Sequence, residues 1–154
     1  MERQEAHSAV VRVETTIAAL PSAVWRALTT EISGWWPDDF YAGGEPDARR
    51  FVLETHPGGR MYEDWGEGQG LVWATVQSVE LERTLRVAGY VYPDFGGPTL
   101  WLGTWELEAT RGGTSLRFTE AALGPMTEEG LARKKEGWTL LFGQALKDFV
   151  ENPR

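Results

Sequence analysis

Apolar and polar positions alternate with a period of two over residues 9–18, where Val11, Val13 and Ile17 share one face, and this pattern predicts a first strand. Pro21 and the spacing of Val24, Trp25 and Leu28 then predict a short helix with proline in its first turn. Ile32 to Trp36 reads as a second helical turn, stopped by Pro37. From residue 49 onward the texture is that of strands, at 49–56, 59–65, 70–80, 84–92, 99–110 and 114–122. The links between them carry Pro57-Gly58-Gly59, Gly66-Glu67-Gly68, Pro93 with Gly96-Gly97-Pro98, and Gly112-Gly113, which implies consecutive antiparallel hairpins. After Gly124-Pro125 the period changes again. Thr127 is placed as an N-cap, Glu128 and Glu129 suit the positive end of a helix dipole, and Leu131, Trp138, Phe142, Ala145 and Phe149 form one apolar stripe. Leu141, Leu146 and Val150 widen it, and Asn152-Pro153 ends it. A helix of about 25 residues is ~37 Å long, enough to cross a domain.

These elements have few packings open to them. The sheet must cover an apolar face, and only the last helix is long enough to do so. The expected fold is α+β, a helix-grip: a curved antiparallel sheet of about seven strands around a long C-terminal helix, with two short helices after strand 1. The 154 residues are read as one domain spanning 1–154, with no repeat or linker to divide them. Eight tryptophans are more than a core of this size needs, and the surplus points to an aromatic cavity between helix and sheet. Gly137 and Gly143 lie inside the last helix at a cost of ~1 kcal/mol each relative to alanine. Either the backbone packs closely there or a ligand needs the room.

Charge narrows the partners. Fifteen basic residues stand against 23 acidic ones, for a formal charge of −8, and the pairs Arg49-Arg50 and Lys134-Lys135 stand alone. Phosphate neutralisation needs clustered bases, so neither nucleic acid nor an anionic membrane is expected as a partner. No run approaches the ~18 apolar residues of a membrane span, and the charged start Met1 to Glu5 does not resemble a signal peptide. Cysteine is absent, which rules out disulfides and thiolate metal sites. A cytoplasmic location is the expectation.

Several motifs resemble the SRPBCC or START-like superfamily. Pro21-Ser22-Ala23-Val24-Trp25-Arg26-Ala27-Leu28-Thr29 is similar to its opening, and Trp35-Trp36-Pro37 and Gly58-Gly59-Arg60-Met61-Tyr62-Glu63 follow in its order. Val76 and Val79 followed by Leu85, then Gly137-Trp138 with Leu141, complete a likeness to the branch named for activators of heat-shock-protein ATPase. Ala74, Leu81 and the long aromatic insert Tyr92 to Pro98 depart from its pattern. The resemblance implies a helix-grip fold with a hydrophobic small-molecule pocket. It also implies two alternatives: a cyclase, dehydratase or hydrolase acting on a polyketide-like substrate, or an interaction module such as a chaperone regulator or a START-type self-resistance protein.

Among candidate chemical groups, Gly66-Glu67-Gly68-Gln69-Gly70 imitates a phosphate loop but joins two strands and carries an acid, so it reads as a hairpin turn. His7 and His56 have no partner at ligand spacing, and neither Ser78 nor Ser115 sits in a nucleophile elbow. No cofactor or metal is expected. Glu63 shares a strand face with Met61 and Trp65, and Glu120 with Leu116 and Phe118. A carboxylate on an apolar face must be hydrogen-bonded or do work, so each is either a ligand-orienting or proton-transferring group or a paired rim acid. The expected pocket walls are Trp36, Phe40, Met61, Trp65, Tyr90, Trp105, Phe118, Trp138 and Phe142, with Glu63 as polar anchor and no catalytic residue assigned. Leu100 and Leu102 oppose the Trp101–Trp105 face of their strand. They need a cover, either the Tyr92–Pro98 loop or a second copy of the chain. Trp73 poses the same problem beside Val72 and Val76, with a β-bulge as one solution.

Overall fold

The computed structural model describes residues 1–153. Strand β1 (His7–Ile17) leads through Pro21 into helix α1 (Pro21–Leu28), whose first-turn proline costs no hydrogen bond. Two 3-10 turns follow, Ile32–Gly34 and Asp38–Phe40. Six strands then run in hairpin succession: β2 (Arg50–Leu53), β3 (Arg60–Gly66), β4 (Gln69–Glu80), β5 (Thr84–Val91), β6 (Thr99–Thr110) and β7 (Gly113–Gly124). They form one seven-stranded antiparallel sheet in the order β1-β7-β6-β5-β4-β3-β2. Alternation along each strand separates a buried face from an exposed one. Trp101, Trp105 and Leu107 of β6 are buried, while Leu100 and Leu102 are 50% and 57% exposed.

The last helix has three segments, α2 (Glu128–Trp138), a π-helical stretch Thr139–Ala145, and α3 (Leu146–Glu151). Thr127 caps it as its sequence position requires, its hydroxyl accepting the Gly130 N–H at 2.9 Å. The π-helical stretch departs from the regular period read along the chain. A wider turn brings residues four apart more nearly into line. Trp138 and Phe142 accordingly stack with ring centroids 5.7 Å apart and planes 13° apart. The helix lies on the buried face of the sheet, and its C-terminal end is tied to β1 by Glu151, which accepts the Ala18 N–H at 2.8 Å.

Aromatic rings fill the space between helix and sheet. Phe118 lies 4.8 Å from Trp105, 4.7 Å from Trp138 and 4.9 Å from Phe142. A second group joins it from the α1 side, where Trp36 stacks on Phe51 at 3.9 Å and meets Trp35 and Trp73 edge-on or tilted. Trp73 reaches this group through a break in register. Met61 pairs with Ala74 but Tyr62 with Val72, so Trp73 is the extra residue of a bulge and turns inward beside its buried neighbour Ala74.

Candidate functional site

A cleft of about 610 Å³ opens beside Trp138 of the long helix and Trp101 of the sheet. Phe40, Tyr41 and Ala42 form one side, Leu71 to Trp73 of β4 another, and Tyr90 to Tyr92 with Phe95 the rim. Trp101 of β6 and Trp138 of α2 face each other across the floor, with centroids 5.8 Å apart. Two glycines give Trp101 its place: a Cβ at Gly89 would stand 2.5 Å from its Nε1, and one at Gly103 would stand 2.9 Å from its ring. The aromatic wall therefore lies close against the backbone of β5 and β6.

The cleft wall carries two acids, Asp94 and Glu120, and no base. Glu120 is 2% exposed, and both of its oxygens are engaged from α2: Trp138 Nε1 donates to Oε1 at 2.9 Å and Lys134 Nζ to Oε2 at 2.9 Å. Lys134 and Trp138 are one turn apart on the helix, so a single carboxylate pins the helix to β7. Lys134 itself stands in an adjoining, more polar groove of about 780 Å³ between the N-terminal segment and the start of α2. The ion pair thus divides the two spaces.

Glu63 is fully buried and has no cationic partner among the described residues. Instead four N–H groups converge on it: Trp65 Nε1 at 2.9 Å, Trp73 Nε1 at 2.7 Å, Ala42 N at 2.9 Å to either oxygen, and Gly43 N at 3.4 Å. Such charge-assisted bonds offset the cost of burying the carboxylate. They also fasten the 41–44 loop to β3 and β4. Trp65 lies over that loop so closely that a Cβ at Gly43 or Gly44 would come within 2.8 or 2.6 Å of its ring, and Gly44 has φ +79°. From the other side Arg49 donates to the carbonyls of Asp38, Gly43 and Gly44, with its guanidinium 4.3 Å above the Tyr41 ring. Burial, the largest influence, raises the Tyr41 phenol above its ordinary value, while a hydrogen bond with Ser33 and the nearby Arg49 act the other way.

Of the residues read from the sequence as pocket walls, Phe40, Tyr90 and Trp138 line the cleft. Trp36, Met61, Trp105, Phe118 and Phe142 lie in the packed aromatic core, and Trp65 covers the loop. Glu63 is not in the cleft wall; it holds Trp73 and Ala42, which are. Trp105 Nε1 is buried without a partner. Tyr41, Leu71, Phe95 and Trp101 line the cleft without having been expected to, as do Trp73, whose facing the sequence left open, and Glu120, for which both a ligand-orienting or proton-transferring role and a paired rim acid were open. Trp101 shares a strand face with Trp105 and could have been included on that ground, whereas the inward turn of Trp73 depends on a bulge. Gly137 is not packed tightly: a Cβ there would meet only Phe40 Cε1 at 3.6 Å, and one at Gly143 only side chains at 3.5 Å or more. His56 lies at the surface, its Nδ1 3.1 Å from the Pro57 carbonyl oxygen.

No helix is long and apolar enough to cross a membrane among the described residues. No curated protein matches the sequence. Solved structures do. Protein MLL2253 from Mesorhizobium loti is 24% identical with a TM-score of 0.70, over 95% of this chain and 99% of that one. The Aha1 dimer from Colwellia psychrerythraea, determined in solution, is 20% identical with a TM-score of 0.66, over 95% and 98%. DynU16, described as a putative protein in the dynemicin biosynthetic locus, is 22% identical with a TM-score of 0.69; 94% of this chain matches 48% of that one. At such identities these likenesses establish the shared helix-grip fold. The family model described as Activator of Hsp90 ATPase homolog 1-like protein matches residues 18–151, and the chain belongs to that family.

Proposed function

We propose that the protein binds a hydrophobic, aromatic small molecule in the cleft between its last helix and its sheet. The observation that carries this reading is the wall itself, where Trp73, Trp101 and Trp138 converge on about 610 Å³ of space. Ligand sites are concave and mostly apolar, with a few placed polar groups, and a volume of this order suits a drug-sized molecule. Phe40 and Phe95 close the sides, and Glu120 supplies the polar group. The test is titration with flat polycyclic aromatics, reading tryptophan fluorescence and melting temperature together. Binding should quench the emission and raise the melting temperature, by about 2.7 kcal/mol of stabilisation at a hundredfold excess over the dissociation constant. A Trp101→Ala variant should lose affinity. If a broad aromatic panel gave neither quenching nor a shift, the cleft would be only a surface irregularity.

A second reading concerns assembly. On the outer face of the sheet Leu123, Leu100 and Tyr90 are direct cross-strand neighbours, and the next row holds Val10, Ala121, Leu102 and Ala88. Five of these side chains, Val10, Tyr90, Leu100, Leu102 and Leu123, are at least half exposed. The patch carries no charge in a chain of net charge −8, so two copies can meet there without opposing like charges. We infer a homodimer through this face; the Colwellia psychrerythraea relative is described as a dimer.

A further inference from the structure

We infer that the cleft selects aromatic ligands bearing a neutral hydrogen-bond donor, above all a phenolic hydroxyl, with Glu120 as the accepting group. This rests on the reading of the cleft as a ligand site and gives the chemical class of its occupant. A carboxylate has about four lone-pair positions, and its neighbours in the fold use two of them, one from Trp138 and one from Lys134. The remaining capacity belongs to a residue of the cleft wall that shares it with the indoles of Trp101 and Trp138. A flat ring lying against those indoles can turn a hydroxyl toward Glu120.

The sign of the site excludes the other common aromatic class. Lys134 does not line the cleft; its ammonium faces the adjoining groove and is already bonded to Glu120. Among the described residues the charged groups in the wall are Asp94 and Glu120, the latter already paired with Lys134, so an aromatic carboxylate would enter against Asp94 and find no free cation in the wall. A methyl ether fills the same volume but donates nothing. Hydrogen bonds to a charged acceptor are among the stronger ones, and a hydroxyl with this acceptor discriminates against an analogue that lacks it. Because Glu120 keeps its two internal donors when the ligand brings none, the expected preference is modest, about tenfold.

The test uses four matched probes, 2-naphthol, 2-methoxynaphthalene, naphthalene and 2-naphthoate, titrated against the wild-type protein and the variants Glu120→Gln and Lys134→Met. In the wild type 2-naphthol should bind about tenfold more tightly than the ether or the hydrocarbon, with 2-naphthoate weakest. Glu120→Gln keeps one oxygen but loses the charge and turns an NH₂ toward Trp138 or Lys134, so its readout is the ratio of naphthol to naphthalene affinity, which should narrow whatever happens to the affinity for naphthalene itself. Lys134→Met releases one carboxylate oxygen and should keep or widen that preference. Equal binding of naphthol, ether and hydrocarbon would overturn the inference and leave the cleft an aromatic site. Naphthoate binding most tightly would also overturn it, because Lys134 would then have to serve the cleft. Binding of none of the four would overturn the site itself. The wild-type comparison decides the matter even if Glu120→Gln does not fold.

Discussion

Glu63 is a charge held by dipoles alone. Two indoles and two backbone amides reach it from β3, β4 and the 41–44 loop, so one side chain positions both Trp73 and Ala42 in the cleft wall. Glu63→Gln would present an NH₂ group to this ring of donors, and at least one N–H would lose its acceptor. The expected cost is about 1–3 kcal/mol in denaturant melts, with a red shift of tryptophan emission as Trp65 and Trp73 loosen. Unchanged stability would show that the loop does not depend on the charge. The sequence marked Glu63 as unusual from its place between Met61 and Trp65, but it could not show which way the acid's needs are met. A strand pattern shows which residues share a face; the Ala42 amide comes from a loop about twenty residues away in sequence, and no periodicity encodes its approach. Glu120 presented the same ambiguity. Its partner proved to be Lys134, from a helix whose facing depends on how it docks against the sheet.

At the scale of elements, the strands were the most legible part, because every hairpin but the Leu81-Glu82-Arg83 turn is punctuated by glycine or proline and β6 and β7 alternate along their buried length. The Thr127 cap was equally plain, since capping is a local bond between residues three apart. Two features were not settled by the sequence, although a β-bulge was one of the solutions it left open for Trp73. The bulge at Trp73 adds a residue to β4 without any glycine or proline at that position. The π-helical stretch Thr139–Ala145 buries Leu141 and Phe142, and no proline within it marks the departure in the sequence. The helix glycines follow from the same geometry. Neither Gly137 nor Gly143 is required by a close backbone approach, since the nearest atoms to a Cβ are side chains at 3.5 Å or beyond. Gly137→Ala should therefore stabilise the protein by up to about 1 kcal/mol in thermal or denaturant melts. It should also weaken aromatic ligands slightly, because the added methyl touches Phe40 in the cleft wall. A loss of stability would mean that the helix needs glycine's backbone freedom there.

For the whole molecule, the outer face of the sheet matters as much as the cleft. A stable interface buries about 800 Å² per partner, and the patch from Val10 to Tyr90, extended by Tyr92 and Pro93 at its rim, is centred where four strands lie side by side. Sedimentation of the wild type should give a dimer mass. Leu100→Glu combined with Leu102→Glu should give a monomer of unchanged circular dichroism, since both side chains are already half exposed. A wild-type monomer at high micromolar concentration would remove this reading. The curved sheet and its helix were predictable as a fold because only one element could cover the apolar face. The extent of the aromatic filling was not, because the tryptophan surplus supplied a solid core as well as a cleft.

That filling has an optical consequence. Trp35, Trp36 and Trp73 form a chain with ring centroids 5.7 and 5.5 Å apart, and Trp101 and Trp138 form a pair at 5.8 Å. At such separations an absorbed quantum is shared between neighbouring indoles before it is emitted. Excitation that begins at Trp35, deep against α1, can pass through Trp36 to Trp73 at the cleft edge. A quencher seated in the cleft therefore darkens rings it never touches, and the protein reports its own occupancy without an added label.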